Sequence, residues 1–329
     1  MKMDESAVRQ QSLSALKQWD KQWTEQAATH AKYKMKSMEQ FRNYGIGKAC
    51  LIVANGYSFE ENIETIKKHQ DNVDILACDK TMAHCINNGV TPDFVLVCDA
   101  NVNYEKYMEP VKDKLQDTVL FINVCANPQW TANGNWKDIY FFVNMDVLGS
   151  ERKFQAISGC PNVIAAGTNV SNAQVILLTQ CTNDRRDNFF GYDKLLLIGF
   201  DYSWDDNKYY AFDGDGGGKQ HYMKHSYCFN LAGDFVYSST NLTFSSRWLD
   251  RYIKGFKIQA VQCSKRSIQG GIARGDLAEQ MQYRYKPEHR EEVADLVSRR
   301  LALTAKIDEL NACLFNIDRD HVKQVMRTI

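Results

Sequence analysis

The chain has 329 residues, with 40 Lys or Arg and 40 Asp or Glu, so its formal net charge at pH 7 is zero. This balance removes any global electrostatic reason for a nucleic-acid or membrane partner, and neither is expected, although a local basic patch would still permit nucleic acid. The N-terminal segment lacks the apolar core of a signal peptide, and no stretch reaches the apolar length of a membrane span. The sequence therefore predicts a cytoplasmic protein without a membrane span.

Three regions are predicted along the chain. Residues 1–46 form an N-terminal helical extension, because the segment 5–43 is polar, free of Pro and Gly, and carries apolar side chains at near-helical spacing. Residues 47–272 form an α/β nucleotide-sugar-binding catalytic domain, and residues 273–329 form a charged C-terminal helical region. The N-terminal helix is expected to serve packing or oligomerisation, and the long terminal helices suggest a homo-oligomer.

The ten cysteines occur singly, without a CxxC pair and without histidines at zinc-finger spacing. Several of them lie in or beside apolar runs of strand length, where a reduced cysteine behaves as a small hydrophobic residue. We therefore expect neither a disulfide framework nor structural zinc.

Short apolar runs alternate with helix-like segments after residue 47, which predicts a Rossmann-like, mainly parallel sheet covered by helices on both faces. The predicted strands are Cys50–Ala54, Val73–Cys78, Phe94–Cys98, Val119–Val124, Ile139–Val143 and Leu195–Ile198. Ligands of such sheets bind outside the carboxyl ends of the strands. The residues that directly follow each run are therefore the candidates for a site.

The first candidate turn, Asn55-Gly56, follows the first predicted strand. Ser58 and Glu61 have the spacing of a capping box, which predicts a helix N-terminus that favours a phosphate. A purely structural turn explains the same residues equally well. Asn55, Gly56 and Ser58 are thus candidate contacts to a donor nucleotide.

Polar residues also end the next three predicted strands. Asp79, Asp99 and Asn123 would line one crevice, suited to ribose hydroxyls, a base edge or Mg²⁺ that bridges a diphosphate. Asp79 and Asp99 are the candidate metal ligands, although aspartates at strand ends are also common as structural caps.

A second small-residue turn precedes an apolar helix, and its candidate contacts are Gly167, Thr168 and Asn169. Asp201 then follows the last predicted strand. A helix cap alone would explain Thr168 equally well. Two such turns in one sheet suit a ligand whose phosphate and sugar bind at separate points.

Residues 202–226 are rich in Asp, Gly and aromatic residues and are too long for an ordinary connection, which predicts a mobile lid. This lid contains Tyr202, Tyr209, Tyr210, His221 and His225. A loop that excludes water and carries His and Tyr is a plausible source of a general base and of hydrogen bonds to a phosphate.

Four segments in this order resemble the motility-associated-factor flagellin glycosyltransferases and the related 6-hydroxymethylpterin diphosphokinases. They are VANGYSFEENI, ACDKTMAHCINNGVTPDFVLVCDAN, GTNVSNAQVILLTQ and YDKLLLIGFDYS, and the resemblance covers roughly residues 48–275. It implies that Asn55 and Gly56 meet the donor nucleotide or its phosphate. It also implies that the turn at residues 167–171 lies beside the donor sugar.

The lid segment, GYDKLLLIGFDYSWDDNKYYAFDG followed by HYMKHS, is similar to bacterial CMP-sialic-acid sialyltransferases. That similarity implies a phosphate contact for Tyr210 and the role of general base for His225. Asp79 departs from the sialyltransferase pattern, which has Asn there, and agrees better with the flagellin and pterin families. A nucleoside diphosphate or triphosphate held by Mg²⁺ is therefore the alternative to a metal-independent CMP donor.

The leading hypothesis is a glycosyltransferase that moves a sugar, of nonulosonic or sialic type if the donor is CMP-activated, to an acceptor hydroxyl on a protein, a glycan or another molecule. The first alternative is an ATP-dependent pyrophosphokinase of the pterin type. The second is a non-catalytic assembly protein whose α/β core is a relic.

Overall fold

The computed structural model describes residues 5–145, 148–165, 167–179, 189–205, 209–212 and 225–282. All of them belong to the first of the two units into which the chain divides, Met1–Arg284. The predicted helices beyond residue 282, the central part of the predicted lid and His221 lie outside the described residues. The predicted domain boundaries stay predictions.

The described strands are β1 Ala49–Val53, β2 Asp74–Cys78, β3 Phe94–Val97, β4 Val119–Asn123, β5 Asp138–Met145, β6 Val163–Ala165, β7 Lys194–Ile198, β8 His225–Phe229, β9 Phe235–Ser239, β10 Ala260–Gln262 and β11 Ala273–Arg274. The α-helices are α1 Glu5–His30, α2 Tyr57–Glu61, α3 Ile63–His69, α4 Asp79–Asn87, α5 Tyr104–Tyr107, α6 Gln129–Asn133, α7 Glu151–Ser158, α8 Val170–Thr179, α9 Thr240–Gly255 and α10 Leu277–Met281. Short 3-10 helices cover Glu39–Phe41, Gln70–Asn72 and Glu109–Lys114.

Nine of these strands form one parallel sheet in the order β11-β10-β7-β1-β2-β3-β4-β5-β6, flanked by helices. The prediction of a Rossmann-like α/β fold is confirmed, and all six predicted runs are strands. The strands β6, β10 and β11 were not predicted, because two or three residues are too few to show an apolar period. The remaining two strands, β8 and β9, form an antiparallel hairpin.

Alternate residues of the central strands enter two separate apolar layers, one on each face of the sheet. Leu51 and Val53 belong to the layer that contains Ala27 of α1, whereas Cys50 and Ile52 belong to the layer packed under α8 and α9. Every residue of β1 is buried, as expected for a parallel strand covered on both sides.

The N-terminal helix is shorter than predicted, because α1 ends at His30 and not near residue 43. Ala27 packs in the first layer, but Phe41 packs in the second, so the chain must leave the helix to pass from one face of the sheet to the other. Asn162 holds this crossing: its Nδ2 donates to the Lys36 carbonyl at 2.7 Å and its Oδ1 accepts the Met38 N–H at 2.9 Å.

No helix in the described ranges is both long and apolar enough to cross a membrane. The eight cysteines within those ranges are free thiols.

A glycine ends β7 where it meets β1. Gly199 has φ of +75°, and a Cβ atom there would collide with the Ala54 carbonyl oxygen. Gly159, which ends α7 at φ of +71°, has no atom within 4 Å of the corresponding position. The two glycines thus share a left-handed backbone but differ in the space around them.

We predict that Gly199→Ala lowers the free energy of unfolding by at least about 3 kcal/mol, since it adds a backbone collision to the strain of a left-handed residue. The matched control, Gly159→Ala, carries only the conformational cost, about 1 kcal/mol. Urea denaturation of both variants measures the difference. Equal losses of unfolding free energy in the two variants would contradict the prediction, because they would show that the backbone between β1 and β7 shifts at little cost to make room for a methyl group.

Candidate active site

The direction of the chain across the sheet reverses between β1 and β7. From β1 the sequence proceeds outward through β2 to β6, whereas β7 lies on the other side of β1 and is followed by β10 and β11. Ligands of open α/β sheets bind in the crevice outside the carboxyl ends of the strands at such a reversal.

A pocket of about 100 Å³ lies at this reversal point. Its walls come from the turn after β1, the start of α8, the segment after β7, the described part of the lid and the start of α9. The lining residues are Asn55, Gly56, Asn169, Ser171, Gly199, Phe200, Asp201, Tyr202, Ser203, Tyr209, Tyr210 and Leu242. Six predicted site residues therefore come together here: Asn55, Gly56, Asn169, Asp201, Tyr202 and Tyr210.

The Asn55 carboxamide is the unsatisfied polar group of this pocket. Both its Oδ1 and its Nδ2 are buried and have no hydrogen-bond partner among the described residues. Its backbone is held firmly, because its carbonyl accepts the Ala211 N–H at 3.1 Å. A buried donor or acceptor without a partner costs about 1–3 kcal/mol, so this amide is suited to a ligand that supplies both kinds of partner.

Asp201, in contrast, is fully engaged within the protein. Its Oδ1 accepts the hydroxyls of Ser58 and Ser264, each at 2.6 Å, and its Oδ2 accepts the Ser58 N–H at 2.9 Å. Burial raises the pKa of Asp201, while these hydrogen bonds act in the opposite direction. The geometry thus gives Asp201 and Ser58 the role of joining β7, α2 and the loop after β10.

The predicted capping box of Ser58 and Glu61 is wrong. The helix begins at Tyr57 after Gly56, without a side-chain cap, because the Ser58 hydroxyl is bound to Asp201. Glu61 instead forms a two-point ion pair with Arg266, with both N–O distances 2.7 Å. Gly56 is itself required by packing, since a Cβ there would lie 2.5 Å from the Gly199 carbonyl oxygen.

The turn before α8 contributes Asn169 to the pocket and the first turn of α8 contributes Ser171, whereas Gly167 and Thr168 do not line it. Asn169 Oδ1 accepts the Asn172 N–H at 2.9 Å, and Thr168 Oγ1 accepts the Asn172 side-chain amide at 2.7 Å. A Cβ at Gly167 would lie 2.7 Å from the Ala173 nitrogen, so its role is close packing.

Tyr202 is buried and held in a strained conformation. Its φ of +54° is unusual for an aromatic residue, and its hydroxyl donates to Asn172 Oδ1 at 2.7 Å. Its carbonyl accepts the Ser238 hydroxyl at 2.8 Å. Backbone strain of this kind clusters at ligand sites, where the surrounding contacts maintain it.

Residues 209–212 of the predicted lid lie over the turn after β1, because the Ala211 N–H donates to the Asn55 carbonyl. Phe212 stacks on His84 of α4 with ring centroids 4.8 Å apart, and its N–H donates to Glu60 at 2.6 Å. Tyr209 and Tyr210 are in edge contact at 4.4 Å. Lys80 Nζ lies 5.3 Å from the centre of the Tyr210 ring, so a positive charge lies beside the residue predicted to contact a phosphate.

The β8–β9 hairpin flanks the pocket on another side. His225 is paired with Ser239, which caps α9 three residues before the pocket-lining Leu242. The His225 side chain lies outside the described residues, and its role as a general base stays a prediction. Trp204 joins the segment after β7 to this hairpin through two hydrogen bonds of 2.9 Å with Tyr237.

Asp79 directly follows β2 as the first residue of α4 and is only 1% exposed. Its Oδ1 accepts the Lys80 N–H at 2.7 Å, but its buried Oδ2 has no partner among the residues described. Burial raises the pKa of Asp79 to about 6; the charge of Asp99 adds to this effect and that of Lys80 opposes it. The charge of Asp99 thus acts on Asp79, although neither residue lines the pocket at β1 and β7.

Asp79 and Asp99 are suited to Mg²⁺ only if the phosphates of a bound ligand supply further oxygen ligands. No group of three His, Cys, Asp or Glu side chains in the described ranges could hold a metal. Mg²⁺ is often bound by one or two carboxylates together with substrate phosphates, and the unpartnered Asp79 Oδ2 fits that arrangement. Asn123, the other predicted residue here, has its Oδ1 engaged by the Cys125 N–H at 2.8 Å.

The comparisons with known proteins agree with this fold. A family model described as 6-hydroxymethylpterin diphosphokinase MptE-like matches residues 21–207, which is more than half of the chain. The chain belongs to the 6-hydroxymethylpterin diphosphokinase MptE-like family. The predicted resemblance to the pterin and flagellin families is thereby confirmed, whereas the similarity of the lid to sialyltransferases stays a prediction.

Two individual proteins are similar to this MptE-like chain. The structure of MAf glycosyltransferase from Magnetospirillum magneticum AMB-1 matches 85% of the chain with a TM-score of 0.58 at 17% identity, and the match covers 42% of that protein. An uncharacterized protein of Treponema pallidum (strain Nichols) is 30% identical over 79 residues, which are 24% of this chain and 38% of that protein. The chain thus spans about two fifths of each protein's length. The MptE-like chain therefore has a fold similar to that of the MAf glycosyltransferase.

Several pocket residues of this MptE-like chain were not among the predicted site residues. Ser203 and Leu242 line the pocket, and Lys80 lies beside its lid. Lys80 directly follows the predicted Asp79, so its position after a strand could have indicated it. Leu242 carries no such signal, because it reaches the pocket only through the packing of α9 beside the β8–β9 hairpin.

Replacing the buried aspartates Asp79 and Asp201 by asparagine should have opposite effects on the free energy of unfolding. Asp79→Asn should raise the free energy of unfolding at pH 7 by up to roughly 3 kcal/mol, since a pKa raised by about two units makes the ionised form unfavourable in the folded protein. This gain should shrink as the pH falls from 6 to 4, where Asp79 becomes protonated in the folded wild type.

Asp201→Asn is the matched comparison. It should lower the free energy of unfolding by about 1–3 kcal/mol, because an amide nitrogen cannot accept the Ser58 N–H. Denaturant curves of both variants between pH 4 and pH 8 measure the effects. A loss of stability in Asp79→Asn at pH 7 would contradict the assignment of Asp79 as an uncompensated charge.

Proposed function

We propose that this protein is a transferase that binds a nucleotide-activated sugar in the crevice at β1 and β7 and moves the sugar to an acceptor hydroxyl. The observation that carries the proposal is the Asn55 carboxamide, which is buried in the pocket with both polar atoms unpartnered among the described residues. Proteins seldom leave such a group unsatisfied unless a ligand completes it. The glycosyltransferase-like fold supports the choice of a sugar donor.

The surroundings of Asn55 suit the parts of such a donor. Asn169 and Ser171 lie at the start of α8, where unpaired N–H groups and the helix dipole favour a phosphate. Lys80 and Tyr210 supply a cation and a hydroxyl on the other side. Since a pocket of 100 Å³ holds only a fragment of a nucleotide sugar, the donor extends along the carboxyl edge of the sheet.

In the reaction we propose, His225 removes the proton from the acceptor hydroxyl, and Tyr210 stabilises the departing phosphate. A bond forms between the acceptor oxygen and the anomeric carbon, while the bond from that carbon to the phosphate oxygen breaks and its electron pair leaves with the nucleotide. With a CMP donor, which would carry a sugar of nonulosonic or sialic type, one phosphate leaves and no metal is required.

A pyrophosphokinase of the pterin type is the second candidate, and membership of the MptE-like family favours it. This reaction transfers a diphosphate from ATP. Asp79 and Asp99 would then hold Mg²⁺ together with the phosphates, and the metal would neutralise charge that develops on the transferred group. The unpartnered Asp79 Oδ2 is the feature of the chain that supports this alternative.

A thermal-shift screen separates the two candidates, because a ligand that binds the folded protein raises its melting temperature. The purified protein is screened with CMP, UDP, GDP, ADP and ATP, each with and without Mg²⁺. We expect stabilisation by CMP without metal for the sialyl-type donor and Mg²⁺-dependent stabilisation by UDP or GDP for a diphosphate sugar. Stabilisation by ATP only with Mg²⁺ would favour the pyrophosphokinase, and no response to any nucleotide would reject both candidates.

The role of Asn55 is tested by Asn55→Ala. We expect nucleotide affinity to fall at least about tenfold, the loss of one or two hydrogen bonds, while the melting temperature without nucleotide stays equal or rises. Asn87→Ala, at an exposed position near the end of α4, is the control and should change neither property. Unchanged affinity in Asn55→Ala would remove the observation on which the donor site rests.

The general base is tested by His225→Ala. We expect nucleotide stabilisation to persist and donor turnover, measured as nucleotide release, to fall by two orders of magnitude or more. His69→Ala is the control, because α3 leads toward the amino end of β2, at the opposite edge of the sheet. An unchanged rate in His225→Ala would assign the base to another group.

A further inference from the structure

A second pocket, of about 420 Å³, lies between α1 and the loops that follow β3 and β4. Its polar lining consists mainly of carboxamides, with one carboxylate at its edge: Gln22, Gln26, Asn101, Asn103, Asn127 and Glu105. No Lys or Arg side chain of the described residues lines it. Its volume lies within the range of small-molecule sites.

Gln26 is the residue of this pocket whose buried side-chain oxygen has no hydrogen-bond partner among the described residues. Its side chain is 9% exposed, and its Nε2 donates to the Ala100 carbonyl, another part of the pocket wall, at 3.2 Å. Its Oε1 is buried and has no partner among the described residues. Gln26 lines the pocket, and a ligand that donates a hydrogen bond to Oε1 would complete it.

The neighbouring amides are held in fixed positions. Gln22 Nε2 donates to Asn101 Oδ1 at 2.8 Å, and Asn101 is anchored in turn by its N–H bond to Asp99 at 2.9 Å. Asn103 Oδ1 accepts the Lys106 N–H at 2.6 Å at the start of α5. Together these contacts order a polar wall contributed by a helix and a loop.

The chemistry of this wall selects its ligand. A carboxamide pairs one acceptor with one donor group, which matches the hydroxyls of a sugar, since each hydroxyl also donates and accepts. Without a lining cation the pocket does not favour a phosphate, and the Glu105 carboxylate opposes any anion. With little apolar lining it does not favour an aromatic or aliphatic ligand.

We propose that this amide pocket binds the acceptor of the transfer reaction, and that the acceptor is an uncharged carbohydrate. This inference rests on the proposed function. The sheet is parallel, and the loops that line this pocket follow β3 and β4, so the pocket lies at the same carboxyl edge as the donor crevice. β3 and β4 are two and three strands from β1. At about 4.8 Å per strand the two sites are at least roughly 10–15 Å apart along this edge, and Asp79 follows the strand between them.

This distance has a consequence for the length of the acceptor. The hydroxyl that attacks the donor must lie within about 3–3.5 Å of the anomeric carbon, so it cannot belong to a sugar unit bound wholly in the amide pocket. The pocket therefore holds a sugar unit that precedes the acceptor unit in an oligosaccharide. His225 receives the hydroxyl proton in this arrangement, as in the proposed reaction.

The experiment is a titration of the full chain with neutral oligosaccharides, namely trimers of glucose and of N-acetylglucosamine, followed by ligand-observed NMR. Inorganic phosphate is titrated in parallel. We expect at least one oligosaccharide to bind and phosphate not to bind in this pocket. Failure of both trimers to bind, or equal competition by phosphate, would overturn the assignment of the pocket to an uncharged carbohydrate.

Two variants locate the binding. Gln26→Leu keeps a similar shape without the amide, and Asn101→Ala removes an exposed loop amide, so at least one of the two should fold normally. Each should weaken oligosaccharide binding at least about tenfold, whereas Gln18→Leu, an exposed position on the same helix, should not. Equal binding to all three variants would overturn the location.

Nucleotide stabilisation of the same variants separates this inference from the proposed function. Unchanged nucleotide binding in Gln26→Leu with weakened oligosaccharide binding supports two sites on one edge. Loss of both in Gln26→Leu would contradict separate sites. If wild type binds oligosaccharide but no nucleotide, the proposed transferase fails and the role of the pocket as an acceptor site fails with it, although the carbohydrate site itself stands.

Discussion

The close contact between the carboxyl ends of β1 and β7 is the constraint on which the candidate site depends. Gly199 lies against the Ala54 carbonyl, and the Asp201 carboxylate joins β7 to the start of α2 through Ser58. Because the strands of this sheet are parallel, this one contact determines where the chain reverses and where the crevice opens. The residues that form it, Gly56 included, are explained by packing and not by ligand chemistry.

Buried polar groups at this edge therefore fall into two kinds. Asp201 accepts three hydrogen bonds, and its removal would loosen the fold. Asn55 and Asp79 lie at the ends of the adjacent strands β1 and β2 and keep buried atoms without partners in the described part of the chain. Such groups lower stability while no ligand is bound, a cost that natural proteins carry at functional sites. Whether a buried polar group has its hydrogen-bond partners within the protein therefore distinguishes ligand-binding residues from structural ones. Position after a strand alone does not, because both kinds of residue occur there.

Much of the fold could be predicted from the sequence, since apolar runs such as Cys50–Ala54 are long enough to identify parallel strands. The positions of Asn55 and Asp79 after strands followed from the same argument. The end of α1 at His30 could not be predicted, because it depends on which face of the sheet Phe41 reaches. Ser58 and Glu61 fit a capping box by spacing alone, and only the tertiary contacts with Asp201 and Arg266 show that they serve otherwise.

The charge of Asp79 affects which ligand can bind at the carboxyl edge of the sheet, and it therefore bears on both candidate reactions. With a pKa of about 6 this carboxyl is mostly charged at neutral pH, although its Oδ2 has no partner in the described residues. A ligand that brings a cation would gain from this charge, whereas a lone phosphate would be repelled unless Lys80 and the start of α8 outweigh the carboxylate. A hydroxyl that donates to Oδ2 would also satisfy it. Asp79 follows β2, between β1 at the crevice and β3 at the amide pocket, so in the proposed reactions the group that completes it belongs either to the donor phosphates or to the acceptor.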